Sequence, residues 1–175
     1  FIGRALCPRL AAAVPEVVVL SRQQRPGLPR GAKRAVRRLE DIPAGEVDAV
    51  VNLAGEPIAD QRWTERHKRL LVGSRVDTTR RLVDWMAASP QRPVTLVSAS
   101  AVGFYGDQGD REIVESTPPA PGFTHDLCAA WEREALRAEA LGVRTCIARI
   151  GAVLDRGGGA LAKMLPAFWM GVGGR

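Results

Sequence analysis

The sequence predicts an α/β fold in which a doubly wound, mainly parallel sheet is covered by helices. Two observations lead there. Short β-branched runs ("EVVVL", "VDAVVNL", "PVTLVS", "VRTCIARI") alternate with longer segments whose apolar residues recur at helical spacing. Three of those runs also end in small or polar residues: Ser21-Arg22, Asn52-Leu53-Ala54-Gly55 and Ser98-Ala99-Ser100. Parallel sheets bind ligands at the carboxyl ends of their strands, so these three ends are expected to line one edge.

Each element follows in order. Residues 2–13, "IGRALCPRLAAA", carry apolar residues at Ile2, Leu6 and Leu10 and read as a helix, with Pro8 working against it. Residues 17–20 form the first buried strand. The stretch from Gln23 to Gly45 is loop-rich, with Pro26, Gly27, Pro29 and Gly31, and holds at most a poor strand at 36–39. A second strand covers 48–53. Leu70, Leu71, Ser74, Thr78, Leu82 and Trp85 mark one helix over 64–88, with Thr64 as N-cap and Ser89-Pro90 as its stop. A third strand at 94–98 runs into a Gly/Pro/Asp-rich loop at 103–122. The segment from Phe123 is a helix closed by Gly142, a fourth strand covers 144–149, and "DRGGG" turns the chain into a last helix, "ALAKMLPAFWM".

Composition excludes several classes. With 175 residues and 46% hydrophobic content, the chain supports a single core-forming domain over 1–175. Net charge is +6, but the densest basic group, Lys33, Arg34, Arg37 and Arg38, lies in a loop without interleaved aromatics. It reads as a solvated surface, so no nucleic-acid partner is expected. Cys7, Cys128 and Cys146 are odd in number and widely spaced, and His67 and His125 have no ligand spacing; neither a disulfide framework nor a metal site is expected. No apolar run approaches the roughly 18 residues of a membrane span, and no signal peptide is visible, which makes the cytoplasm the expected location. The chain begins at Phe1 and stops at "GVGGR", and is expected to be a fragment.

The strand ends suggest a nucleotide site. An acidic residue after the second strand of a dinucleotide fold binds a ribose 2′-hydroxyl, whereas an arginine pairs with a 2′-phosphate. Ser21 and Arg22 therefore favour NADP over NAD. Leu53, Ala54 and Gly55 offer backbone with little bulk, as a ribose lying against a strand end requires. Ser98 and Ser100 close a core strand, and Tyr105 follows shortly after. A hydroxyl placed like that of Ser100 can hold a substrate carbonyl or alcohol.

"FIGRAL", "DAVVNLAGEPIADQRW", "GSRVDTT", "SASAVGFYG", "LCAAWE", "RIGAVL" and "GGGALAKMLPAF" together resemble the extended short-chain dehydrogenases/reductases, in the atypical branch called the NAD-dependent epimerase/dehydratase family. The resemblance covers essentially the whole chain. It implies a Rossmann-like sheet, truncated here at both ends, with the C-terminal substrate lobe starting near residue 155. Gly3 matches the last glycine of the family's pyrophosphate-binding loop. The resemblance adds Arg75 and Val153 to Ser21, Arg22, Leu53 and Ala54 as cofactor contacts. It implies a nucleotide-sugar or small carbonyl substrate for an epimerase, dehydratase or reductase, and leaves the oligomeric state open.

One departure bears on activity. The family pairs its strand-end serine with Tyr-x-x-x-Lys on the next helix, but aligning Glu132 with the usual glutamate puts Thr124 and Cys128 at those two positions. Ser100 and Tyr105 are then the candidate catalytic hydroxyls. A phenol with no lysine adjacent in sequence titrates near ~10, so any turnover is expected to be slow and to rise with pH. A protein that binds the nucleotide without turnover, as a sensor or scaffold, is the rival reading.

Overall fold

The computed structural model describes residues 1–22, 27–43, 45–59, 61–155 and 158–172. In chain order the elements are α1 (Ile2–Ala11), β1 (Val18–Leu20), β2 (Arg34–Val36), β3 (Ala49–Asn52), α2 (Glu65–Val72), α3 (Thr78–Ala88), β4 (Thr95–Ala101), α4 (Phe123–Leu136), β5 (Arg144–Ile150), β6 (Leu154–Asp155) and α5 (Gly159–Trp169). They fall into two compact units, one of residues 36–149 and one drawing on 1–35 and 150–175. Among the described residues no helix is long and apolar enough to cross a membrane, and no cluster of potential metal ligands occurs.

In the larger unit the sheet order is β3-β4-β5. The β3 and β4 strands are parallel, with Val50 opposite Leu96 and Asn52 opposite Ser98. Leu96, fully buried on the central strand, packs with Leu82, Val83 and Met86 of α3, Ala135 of α4, and Ala138 and Val143 beyond it. The two long helices thus share one core with β4. This cluster holds the strand ends in place.

The expected helix over 64–88 forms, but not as one regular α-helix. Thr64 caps it by accepting a bond from the His67 amide at 3.2 Å. At Gly73–Asp77 the backbone widens into a π-helical turn before α3 begins. Ser74 Oγ donates to the Leu71 carbonyl and Thr78 Oγ1 to that of Gly73, so side chains supply donors to backbone carbonyls where the α-pattern is lost. Such turns are frequent at functional sites. Periodicity sees the face of a helix and is blind to one inserted residue.

Two further expectations change. The poor strand at 36–39 is replaced by β2 at Arg34–Val36 and a 3₁₀ turn at Leu39–Asp41. The Asp41 carboxylate accepts the Arg38 amide at 3.2 Å, which closes the turn and removes that amide from any ladder. The loop at 103–122 starts with another 3₁₀ turn, Val102–Tyr105, and doubles back so that the Ala120 amide bonds the Tyr105 carbonyl at 2.8 Å. Gly106 permits that return, because its φ is +70° and a Cβ there would sit 2.7 Å from the Ala120 carbonyl oxygen. The α4 segment ends as expected, its 3₁₀ extension closed by Gly142 in the left-handed conformation.

In the smaller unit β1 pairs with β2, and Glu16 bridges Lys33 and Arg34. The α1 helix contains Pro8 and forgoes the bond that residue cannot donate. Gln23–Pro26 of the expected loop, and Arg156 and Gly157 of the expected turn, lie outside the described residues.

The α3–α4 contact carries an acid-sensitive clasp. Arg80 reaches Glu134 at 3.0 Å, and Arg137 reaches Glu134 at 2.9 Å and Asp84 at 2.7 Å. Burial alone would raise the Glu134 carboxyl, but hydrogen bonds from Arg137 and Arg80 outweigh it and hold the group below its ordinary 4.5. A depressed carboxylate contributes stability that is present above the unfolded value and disappears as pH falls through the folded one. Urea denaturation should therefore show wild type losing more stability than Glu134→Gln below about pH 4.5, and equal acid slopes would refute the clasp.

Candidate functional site

The site in the 36–149 unit starts from three buried polar side chains. Asn52 ends β3 with its Nδ2 donating to Thr79 Oγ1 at 2.9 Å, and Trp131 Nε1 donates to the same hydroxyl at 3.0 Å. One threonine therefore ties the β3 end to α3 and α4. The Asn52 Oδ1 accepts the Ala54 amide at 3.2 Å, shaping the Leu53-Ala54-Gly55 turn. Ser98, level with Asn52 on β4, is fully buried, and its hydroxyl donates to the Ala99 carbonyl at 3.4 Å.

Arg75, on the π-helical turn, reaches that same end of β3. Its Nη2 donates to the Glu56 carbonyl at 2.9 Å and its Nη1 to Ser74 Oγ and the Leu71 carbonyl at 3.3 and 3.4 Å. Its guanidinium lies 5.4 Å from the Trp131 ring centre. Burial pushes its pKa down, against attraction from the nearby Glu56 carboxylate. A Cβ on Gly55 would come 3.0 Å from the Arg75 Cζ, so the bare glycine makes room for the cation. The turn thus joins exposed backbone, minimal bulk and a cation held by carbonyls, a donor set that suits a ribose or phosphate.

A second cluster lies at the end of β4. Ser100 is buried, and its Oγ donates to Glu132 Oε1 at 2.5 Å, a separation typical of a charge-assisted O–H···O⁻ bond. Arg149, on β5, clasps the same carboxylate side-on, Nε to Oε1 and Nη2 to Oε2, both at 2.9 Å. Its remaining Nη1 donates to the Tyr105 hydroxyl at 2.9 Å, and its guanidinium stacks 3.5 Å from the Phe104 ring centre. Hydrogen bonding to Glu132 drives the Arg149 pKa above its ordinary value. Thr124 and Cys128 of α4 approach the 3₁₀ turn that carries Tyr105: a Cβ on Gly103 would lie 3.2 Å from Thr124 Cβ and 3.9 Å from Cys128 Sγ. Burial raises the Cys128 thiol pKa, so at neutral pH it is uncharged and does not replace a lysine.

The structure brings Leu53, Ala54, Gly55, Arg75 and Ser98 to adjoining strand ends, and links Ser100 to Tyr105 through Glu132 and Arg149. Gly3, Ser21, Arg22 and Val153 belong to the other unit. There Gly3 lies in the first turn of α1, Arg22 is exposed just past β1, and the Val153 carbonyl accepts the Ala160 amide at 3.0 Å. Sequence reasoning placed Asn52 at a strand end without giving it a role, missed Thr79, Trp131 and Arg149 as site-builders, and used Glu132 only as an alignment anchor. A signal for Arg149 existed: an arginine inside "TCIARI" needs a buried acidic partner.

Residues 1–172 match the NAD dependent epimerase/dehydratase family. The chain is 38% identical over 189 residues to the epimerase family protein SDR39U1 homolog, chloroplastic, of Arabidopsis thaliana, covering 99% of this chain and 52% of that protein. It is 42% identical over 130 residues to epimerase family protein Mb2239 of Mycobacterium bovis, covering 74% and 42%. Among solved structures it superposes on human epimerase family protein SDR39U1 (isoform 2), crystallised with NADPH, with a TM-score of 0.83 and 36% identity, covering 99% of this chain and 58% of the human one. A nucleoside-diphosphate sugar epimerase from Corynebacterium glutamicum gives a TM-score of 0.77 at 33% identity, covering 96% and 35%. The chain thus spans 52% and 42% of the two curated relatives. With its α/β order and parallel β3–β4 pairing, this chain belongs to the NAD-dependent epimerase/dehydratase family and has its Rossmann-like fold.

Proposed function

We propose that the protein binds NADP in preference to NAD and uses it on a nucleotide-sugar or small carbonyl substrate. The observation that carries the cofactor choice is Ser21-Arg22 directly after β1, with no acidic residue there. Crystallisation of the human relative with NADPH supports it. In this reading Arg22 and Ser21 hold the 2′-phosphate, and Gly3 in the first turn of α1 lets the chain approach the pyrophosphate. Leu53, Ala54 and Gly55 take the adenosine ribose, Arg75 supplies positive charge beside it, and Ser98 and Val153 complete the contacts. When bound, the cofactor supplies the hydride donor or acceptor. Residues 1–175 then belong to one nucleotide-binding domain, with the substrate lobe beginning near 155, and the cytoplasm is the proposed location.

Arg22→Ala is expected to weaken NADP by about tenfold to over a hundredfold, the loss of a charge-assisted bond of about 1.5–3 kcal/mol, while NAD affinity holds. Fluorescence titration of both cofactors on the intact protein measures this. Equal weakening of the two would remove Arg22 from the 2′-phosphate.

A second reading, nucleotide binding without turnover, draws support from the burial of both candidate hydroxyls and their engagement with Glu132 and Arg149. A single-turnover hydride-transfer assay over nucleotide-sugars and small carbonyls separates the two. Binding with no transfer on any substrate would favour the sensor or scaffold.

A further inference from the structure

Oxidation of an alcohol releases a proton as well as a hydride, and the helix positions that elsewhere carry the proton-handling pair hold Thr124 and Cys128. The structure offers a different acceptor. Ser100 already donates a short, charge-assisted hydrogen bond to Glu132, at 2.5 Å. Glu132 has 8% of its side chain exposed and a fixed orientation, because Arg149 holds both of its oxygens. Arg149 is fixed in turn by the Phe104 ring and the Tyr105 hydroxyl. The two-point hold of Arg149 keeps Oε1 of the carboxylate on the Ser100 hydroxyl.

We infer that Ser100 and Glu132 form a proton relay in which Glu132, aligned by Arg149, is the terminal acceptor in place of a tyrosine–lysine pair. This inference rests on the reading that the protein turns over with NADP. The substrate O–H bond breaks and its proton goes to Ser100 Oγ, while the Ser100 proton passes to Glu132 Oε1. The electron pair of the O–H bond forms the carbonyl as the carbon-bound hydrogen leaves, as hydride, for oxidised NADP. In the reductive direction the protonated Glu132 returns its proton through Ser100. Ser100 and Glu132 are the catalytic residues, because the proton passes between them; Arg149 acts through Glu132 and is a positioning residue.

Two measurements on the intact protein test this. Without cofactor, proton NMR should show a far-downfield hydroxyl resonance from the short Ser100–Glu132 bond, absent in Ser100→Ala and moved upfield in Glu132→Gln. With NADP and a turned-over substrate, Glu132→Gln, which keeps side-chain size and an acceptor oxygen, should lower kcat by about 10²–10⁴-fold. KM and cofactor affinity should stay within about twofold of wild type, and the double variant should be no slower than the slower single variant, because the two groups act as one unit. Failure of wild type to bind NADP would sink the functional reading itself. Binding with no turnover, full kcat in Glu132→Gln, or additive losses in the double variant would overturn the relay while leaving cofactor binding standing.

Discussion

Replacing Arg149 by leucine should cost about 3–5 kcal/mol of folding stability, because it leaves a buried carboxylate without its counter-charge. Glu132 is the residue stranded. It sits on α4 between the end of β4 and β5, and apart from the Ser100 hydroxyl its carboxylate takes its hydrogen bonds among the described residues from Arg149. Arg149 itself has 23% of its side chain exposed, so water can partly fill its place and the loss should lie towards the lower end of that range. The test is a double-mutant cycle. Adding Glu132→Gln to Arg149→Leu removes the stranded charge and should restore a large part of the stability, with a coupling of about 0.5–3 kcal/mol. If the single variant loses under about 1 kcal/mol in urea denaturation, Glu132 is not desolvated as the structure places it.

Leu96→Ala is expected to destabilise by about 2–5 kcal/mol, the transfer cost of the lost atoms plus the cavity they leave. The site gives little room for collapse. Leu96 is fully buried on the central strand, against Leu82, Val83 and Met86 on one helix and Ala135 on the next. With a chain of this size the melting temperature should fall by about 2–4 °C per kcal/mol, and the denaturant slope should not change. Leu96→Met, nearly volume-conserving, should cost less than about 1.5 kcal/mol. Equal losses in the two variants would mean that volume at this position does not matter, against the packing described.

The effects differ in kind, and the difference separates scaffold from site. Leu96 supports the strands whose ends carry Asn52 and Ser100, so its loss should lower stability without altering cofactor choice. Arg22 should do the reverse. Arg149 does both, since it neutralises a buried charge and orients the group that Ser100 faces.

The alternation of β-branched runs with helical periods was enough to identify the α/β class, since both signals arise from local backbone preference and from which side chains avoid water. Thr64 as a cap and Gly142 as a stop were legible for the same reason: each acts within one turn of chain. The family was legible because its motifs are contiguous. The π-helical turn at Gly73–Asp77 was not, because one inserted residue hardly disturbs an apolar stripe. Least legible was the Ser100–Glu132–Arg149–Tyr105 cluster, whose members are up to 49 positions apart, from Ser100 to Arg149. Taken alone, the sequence determined most of the elements, their class and the strand-end residues. Only the tertiary structure decided which charges meet, because a buried carboxylate and guanidinium find each other through the packing of α4 against β4 and β5, a long-range contact that no local preference encodes.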